Sequence, residues 1–246
     1  MNISELTQTQ KAYTFAKISK LAYEEKPNFF GFTSKKIEVE NHTAFVLYNK
    51  TDIIVACRGT EITDIKDIIT DAEAFLVDSL TGTGKGHFGF EKAVKSTWAQ
   101  VAAIINNIVG RANDQHRIWF TGHSLGGAMS NLMAALYQNK NPDKKVILFT
   151  FGCPRTGNKG NTSLGAFKHH RYVDSADIVP RIPIWPFYHH GTLHYIDSHG
   201  VEIKPNVFTL VKDRIKCFFM NPANLIEKHF IDQYLDAIDL LGEKET

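Results

Sequence analysis

Ser124 stands between two glycines in the sequence WFTGHSLGGAM, in the pattern Gly122-x-Ser-x-Gly126. Four apolar or β-prone residues precede this pattern, and a run of small residues typical of a helix follows it. A serine on the tight turn between a strand and a helix exposes its hydroxyl, and the first N–H groups of the helix can stabilise a negative oxygen. The pattern therefore predicts that Ser124 is a nucleophile. A structural serine in an ordinary glycine-rich turn is the alternative.

A serine nucleophile needs a histidine that takes its proton and a carboxylate that holds the histidine. In folds with this turn the chain order is serine, acid, histidine, so both partners should follow Ser124. Asp177 lies in a loop after a predicted strand, where such sheets place functional carboxylates. Position, together with the family resemblance described below, favours Asp177 over Asp174 at the strand end and Asp197 in a predicted turn.

The chain holds 11 histidines, so most of them must have structural or surface roles. His229 lies in LIEKHFIDQYL, at the start of a predicted C-terminal helix, late enough in the chain to return to the same edge of the sheet. We favour His229 as the base, while the other histidines after Asp177 remain alternatives. They are His189, His190, His194 and His199.

The elements around these residues alternate between strand and helix patterns. The apolar run at 145–151 is typical of a central strand that is covered on both faces. The alternation predicts one α/β domain over residues 1–246, with a mostly parallel sheet and helices on both faces. The predicted elements include helices over 91–109, 125–139 and 225–241, strands over 117–121, 145–151 and 170–173, and a hairpin over 194–203.

Composition excludes few classes of function. The net charge is +2 and no dense cluster of lysine and arginine indicates a nucleic-acid partner. No apolar run reaches the length of a membrane span, and the first residues lack the pattern of a secretory signal. The three cysteines are widely spaced and show no metal-ligand spacing. We therefore expect no metal, no cofactor and no nucleic-acid partner, and we favour a cytoplasmic location.

Seven segments of the chain, in the same order, resemble the characteristic motifs of the class 3 (fungal-type) lipases. The resemblance implies the α/β-hydrolase fold for this chain. The seven segments are VACRGTE, GHFGFEKAV, TGHSLGGAMSNLMA, FTFGCPRTGN, DIVPRIP, YHHGTLHYI and KHFIDQYL.

The same resemblance assigns roles to individual residues. It implies that Ser124 is the nucleophile, Asp177 the orienting acid and His229 the general base. It also implies that Thr60 and Leu125 donate hydrogen bonds to the oxyanion of a tetrahedral intermediate. The implied activity is that of a serine carboxylic-ester hydrolase, a lipase that cleaves acylglycerols through an acyl-enzyme. Phospholipase A1 and short-chain esterase activities are alternatives, and a catalytically silent relative that binds lipid or protein is a hypothesis of a different class.

Two apolar regions could determine how an ester reaches Ser124. Residues 61–78 have the spacing of an amphipathic helix, which fits a lid with transient contact to a lipid interface and an ordinary surface helix equally well. Apolar residues of the segment 206–228 could line an acyl pocket or belong to the core. The same two interpretations apply to Ile184, Trp185 and Phe187.

Several polar residues near the motifs have a structural interpretation. His123 is expected to be packed and hydrogen-bonded beside the nucleophile, and Arg155 is expected to fix loops. Cys57 and Cys153 lie in or beside apolar strand-like runs, so we expect both to be buried as small hydrophobic residues.

Overall fold

A computed structural model describes residues 2–59, 75–110, 116–175, 177–220 and 227–244 of this chain. The α-helices of these residues are α1 (Gln8–Leu21), α2 (Phe88–Val109), α3 (Leu125–Lys140), α4 (Val207–Met220) and α5 (Ile231–Lys244). The strands are β1 (Thr33–Val39), β2 (His42–Tyr48), β3 (Asp52–Cys57), β4 (Leu76–Asp78), β5 (Lys85–His87), β6 (Arg117–His123), β7 (Val146–Phe151), β8 (Gly157–Asn158), β9 (Lys168–Asp174), β10 (Phe187–Tyr188), β11 (Thr192–Ile196) and β12 (Glu202–Ile203).

Eight of the strands in the described residues form the central sheet, in the order β1-β2-β3-β6-β7-β9-β11-β12. The five middle strands, from β3 to β11, run parallel, whereas β1, β2 and β12 pair antiparallel at the two edges. The carboxyl ends of β6, β7 and β9 therefore meet at one edge of the sheet, where open α/β sheets place their sites.

Strand β7 shows why the sheet lies between two layers of helices. Val146 and Leu148 belong to a buried cluster with residues of α2 and α3, whereas Phe149 and Phe151 belong to a second cluster with residues of α1 and α5. Side chains of a strand alternate between its faces, so an apolar run satisfies both layers at once. The predicted sheet with helices on both faces is observed.

The C-terminal helix differs from its prediction at its beginning. The sequence pattern placed its start at residue 225, but α5 begins at Ile231 after a turn. In this turn the N–H of Phe230 donates to Glu227 O, and the N–H of Gln233 donates to Phe230 O. These bonds of a tight turn replace helical ones, so His229 lies in a loop before α5 instead of within the helix.

Two apolar segments also take a form that the pattern did not predict. Residues 76–78, at the end of the candidate lid segment 61–78, form strand β4 of a second sheet with the order β10-β8-β5-β4. Residues 61–74 lie outside the described residues. In the segment 206–228, residues 207–220 form α4. In the part of the chain that the structure describes, no helix combines the length and the apolar character of a membrane span.

Candidate active site

Ser124 lies between the end of β6 and the start of α3, with φ 56° and ψ −130°. A non-glycine residue in this region costs on the order of 1–3 kcal/mol, which the surrounding contacts must offset. The flanking glycines allow the tight turn. A Cβ atom on Gly122 would lie 2.3 Å from the carbonyl carbon of Gly126, and one on Gly126 would lie 2.2 Å from the carbonyl oxygen of Cys57. The strand–turn–helix predicted around Ser124 is therefore present.

Asp177 and His229 are both fully buried and form a direct hydrogen bond, 2.8 Å between Asp177 Oδ2 and His229 Nδ1. The other carboxylate oxygen of Asp177 accepts the N–H of Val179 at 2.9 Å, at the start of a short 3₁₀ turn. A carboxylate can only accept in such a pair, so Nδ1 of His229 carries the proton. Nε2 of the neutral ring then holds the lone pair that a general base needs.

Tyr234, on the first turns of α5, also binds the carboxylate. Its hydroxyl donates to Asp177 Oδ2 at 2.6 Å inside the protein. Burial, followed by the charge of Asp177, raises the pKa of Tyr234 well above its usual value, so the hydroxyl remains a donor. Asp177 thus receives three hydrogen bonds from the loop after β9, the loop before α5 and α5 itself.

His123 links the elbow to the loop that carries His229. Its Nε2 lies 2.6 Å from the carbonyl oxygen of His229, and its Nδ1 lies 2.8 Å from the hydroxyl of Tyr23 in the turn after α1. The carbonyl can only accept, so Nε2 is protonated, and Nδ1 accepts the Tyr23 hydroxyl. Burial, followed by the neighbouring His229, holds the pKa of His123 well below its usual value. The interpretation of His123 as a packed, hydrogen-bonded residue is confirmed.

Several buried polar atoms at this edge of the sheet have no hydrogen-bond partner among the described residues, and two of them belong to the predicted site. These two are Oγ of Ser124 and Nε2 of His229. A buried polar atom without a partner is uncommon in folded proteins and often marks a catalytic role. These are the two atoms between which a serine hydrolase transfers its proton.

Gly152, directly after β7, lies against the Asp177–His229 pair. It adopts φ 59°, a conformation that glycine takes without penalty. A Cβ atom at this position would lie 2.8 Å from both Nδ1 and Cε1 of His229, and 2.9 Å from Oδ2 of Asp177. The absence of a side chain at Gly152 is therefore a condition for the hydrogen-bonded pair.

Of the two predicted oxyanion donors, the structure describes Leu125 and not Thr60. Leu125 is the first residue of α3, so its N–H has no partner within the helix and lies at the positive end of the helix dipole. Thr60 lies outside the described residues. Its neighbour Gly59 packs on the elbow strand, since a Cβ atom there would lie 2.6 Å from the carbonyl oxygen of His123.

The structure separates Asp177 from its two rivals. Asp174 is buried at the end of β9 and pairs with Lys228, whose Nζ lies 3.3 Å from its Oδ2. Burial raises the pKa of Asp174 to about 6, an effect that Lys228 opposes. Asp197 accepts the N–H groups of His199 and Val201 in the turn after β11, as predicted for a turn residue.

The alternative histidines have partners other than Asp177. His189 binds the carbonyl oxygen of Pro180, and His190 binds that of Asn158. His194 lies between His170 and Glu202, and His199 is exposed in a turn. In the described ranges no group of three or more His, Cys, Asp or Glu side chains is arranged to hold a metal ion.

The three candidate pocket residues do not share one environment. Ile184 and Trp185 are strongly exposed in the loop after the 3₁₀ turn. Phe187 is buried, and its ring centroid lies 5.5 Å from that of His87 in the second sheet. Arg155 donates to the carbonyl oxygens of Arg181 and Pro183 and so fixes this loop, as expected. Cys57 and Cys153 are buried, which confirms their predicted placement.

Sequence reasoning gave no role in the site to Tyr23, Gly152 or Tyr234. Tyr234 belongs to the same motif as His229, five residues later in the chain, and this spacing was the available signal. Gly152 follows an apolar strand, where a glycine indicates close backbone approach. Tyr23 gave no signal, because its partner His123 is 100 residues away.

A family model described as "Lipase (class 3)" matches residues 54–187, more than half of the 246-residue chain. The chain belongs to the class 3 lipase family. The family predicted from the seven motifs is thus confirmed. The matched range includes the elbow and Asp177, and His229 follows it in the chain.

Relatives of this class 3 lipase chain include secreted enzymes and a toxin. It is 33% identical over 165 residues to secreted mono- and diacylglycerol lipase 1 of Fusarium solani, covering 62% of this chain and 46% of that protein. It is 28% identical over 166 residues to toxin TseL of Vibrio cholerae, covering 63% of this chain and 25% of the toxin. The chain therefore spans a quarter to about half of the length of these relatives.

A solved triacylglycerol lipase from Penicillium expansum resembles the chain in its fold. The TM-score is 0.70 at 22% sequence identity, and the match covers 83% of this chain and 85% of that one. This likeness confirms the predicted α/β-hydrolase fold.

Proposed function

We propose that this protein is a serine carboxylic-ester hydrolase that acts on acylglycerols. The observation that carries the proposal is the buried pair of Asp177 and His229. It leaves the second nitrogen of the histidine unpaired among the described residues, at the sheet edge where Ser124 forms a nucleophile elbow. The elbow, the acid and the base occur in the chain order of this class of enzyme.

In the proposed reaction, Ser124 Oγ attacks the carbonyl carbon of the ester while its proton passes to His229 Nε2. The carbonyl electron pair moves onto oxygen, and the resulting oxyanion accepts a hydrogen bond from the N–H of Leu125, with Thr60 as the second donor that the family resemblance implies. Asp177 stabilises the imidazolium without taking its proton. The carbonyl re-forms and the alkoxide leaves with the proton from His229, so the acyl group remains on Ser124. Water then repeats the steps and releases the carboxylic acid.

Two features support an apolar ester as the substrate. A relative with 33% identity is a mono- and diacylglycerol lipase by name. Ile184 and Trp185 are exposed on the loop that follows Asp177 and its 3₁₀ turn, where they can contact an acyl chain or a lipid interface. Arg155 donates hydrogen bonds to the backbone of this loop, so the two apolar side chains project from a backbone that is held in place.

Covalent labelling with a fluorophosphonate tests the nucleophile. The wild-type protein should be labelled, and Ser124→Ala should not. His229→Ala should lower labelling and ester turnover strongly, whereas His199→Ala, an exposed histidine of the same chain, should leave both near wild type. Equal labelling of Ser124→Ala, or near-normal turnover in His229→Ala, would contradict the proposal.

A panel of substrates tests the preference for lipid esters. Turnover should be compared on short p-nitrophenyl esters, a triolein emulsion and phosphatidylcholine. Preference for the emulsion is expected. A preference for phosphatidylcholine would indicate a phospholipase A1, and activity on the short esters alone would indicate an esterase. Labelling without turnover of any ester would leave a lipid-binding relative as the better description.

A further inference from the structure

Helix α4 presents an apolar strip to solvent. Val207, Val211 and Ile215 follow each other at intervals of four residues, and Phe208 lies beside them on the same side of the helix. Val207 and Phe208 are 74% and 86% exposed, and Val211 and Ile215 are 45% and 52% exposed. Large apolar side chains that are exposed singly need no explanation, but a continuous strip on one helix indicates a binding surface.

The charge around the strip limits the kind of partner. By sequence, residues 204–220 contain four basic residues and one acidic residue, a net charge of +3. Among them, Lys204 and Lys212 are exposed in the structure. Helices that lie in the plane of a membrane interface combine an apolar face with lysine and arginine, which attract anionic headgroups. With 14 residues α4 is about 21 Å long, shorter than the hydrocarbon core of about 30 Å, so it can lie on a bilayer but not cross it.

A second copy of the chain fits this surface less well. The strip from Val207 to Ile215 is only about 12 Å long and about 10 Å wide. A stable protein–protein interface buries about 800 Å² on each partner, several times the area of this strip. Two such segments would also bring like charges together. A lipid surface has neither restriction, because it adapts to a narrow strip and offers negative charge on all sides.

We propose that α4 is a docking helix whose apolar strip inserts at the surface of an anionic membrane. The helix begins four residues after the end of β12, at one edge of the sheet, and ends nine residues before His229. Those nine residues reach at most about 30 Å, so the end of α4 lies within that distance of the proposed base. The inference goes beyond the proposed function, because docking needs neither Ser124 nor hydrolysis.

Vesicle sedimentation tests the proposal. Vesicles are made from ether-linked phosphatidylcholine alone, or from equal parts of ether-linked phosphatidylcholine and phosphatidylglycerol, since ether lipids cannot be hydrolysed by an esterase. The wild-type protein should sediment with the anionic vesicles and much less with the neutral ones, and added salt should weaken the binding. No binding of the wild-type protein to either vesicle would overturn the proposal.

Substitutions locate the surface. Phe208→Ser should weaken binding to the anionic vesicles about 10- to 100-fold, because one large apolar side chain no longer leaves water. Phe30→Ser is the matched control. Phe30 is 92% exposed but precedes β1 at the opposite edge of the sheet, so this variant should bind like wild type. Lys212→Glu should weaken binding to anionic vesicles and leave the weak binding to neutral vesicles unchanged. Equal loss in Phe208→Ser and Phe30→Ser, or no loss in either, would overturn the assignment to α4.

Two further measurements separate this inference from other outcomes. Far-UV circular dichroism and Tm should be the same in Phe208→Ser and wild type, which shows that the variant is folded, and hydrolysis of a soluble p-nitrophenyl ester by the wild-type protein tests the proposed function separately. If the protein binds vesicles but cleaves no ester, docking stands and the proposed function fails. Sedimentation velocity in the absence of lipid tests self-association. A dimer that Phe208→Ser dissociates, without vesicle binding, would assign the strip to a second copy and overturn the proposal.

Discussion

Replacement of Gly152 by alanine should disable the proposed base while the protein remains folded. A Cβ atom at this position would lie 2.8 Å from Nδ1 of His229 and 2.9 Å from Oδ2 of Asp177. Contacts of this kind are favourable only from about 3.5 Å, so the pair must move by roughly 0.7 Å. A displacement near 1 Å at a reacting group costs about 100-fold in rate, so kcat should fall by about 10- to 100-fold.

The same substitution has a separate cost in stability. Alanine at φ 59° costs about 1–2 kcal/mol, which for a chain of this length lowers Tm by roughly 2–8 °C. Two glycines provide matched controls. Gly82 has φ 79° and open space around it, so Gly82→Ala carries only the backbone cost. Gly191 has φ 87° and a Cβ atom there would lie 2.7 Å from His169, so Gly191→Ala carries both costs away from the site.

The assay is the hydrolysis of a soluble p-nitrophenyl ester well below the lowest Tm, with Tm measured by circular dichroism. Both control variants should lose stability and retain kcat, whereas Gly152→Ala should lose both. If Gly152→Ala turns over the ester as fast as Gly82→Ala does, the Asp177–His229 pair seen here is not the arrangement that performs the chemistry. If Gly191→Ala loses as much activity as Gly152→Ala, the loss reflects general strain.

Asp177→Asn should lower kcat by about 10³- to 10⁴-fold, because the amide no longer holds the histidine in the right tautomer. Asp174→Asn should retain most activity, and equal losses in the two variants would contradict the assignment of Asp177 as the acid. The pKa of Asp174 is raised to about 6, so the folded state binds more protons than the unfolded state between about pH 4 and 6 and loses stability as the pH rises. In Asp174→Asn the free energy of unfolding, measured in urea, should no longer fall by about 3 kcal/mol between pH 4 and 6. An equal fall in the variant and the wild type would refute this role of Asp174. In a variant with Cys217 replaced by serine, a thiol reagent should label the native protein far more slowly than the unfolded protein. The reason is that burial raises the pKa of Cys57 and Cys153 to about 12. Fast labelling of the native protein would show that one of these thiols is accessible to solvent.

Much of the elbow could be predicted from the sequence because its information is local. Gly122, Ser124 and Gly126 lie within five residues, and the strand before them and the helix after them have clear apolar patterns. The backbone conformation of Ser124 and the close contacts at both glycines agree with that prediction. The parallel sheet was equally accessible, since alternating strand and helix patterns permit few topologies.

The partners of the elbow depend on contacts between distant parts of the chain. Asp177 and His229 are 52 residues apart, and nothing local in either segment specifies which of five histidines reaches the acid. Motif order favoured His229, and the structure places it on Asp177. Its position in a turn, instead of at a helix start, is set by bonds that the apolar pattern of the segment does not encode.

Burial and packing between elements account for what the sequence left open. Ile184, Trp185 and Phe187 look alike as apolar residues of one loop, yet two are exposed and one packs against His87. The need for glycine at 152 arises because three segments approach each other at one point. The residue types and their order along the chain thus determine the chemistry of the site. The packing of the sheet and its two helix layers decides which of their atoms come into contact. This packing is driven by hydrophobic burial, which depends on the whole chain and not on any single motif.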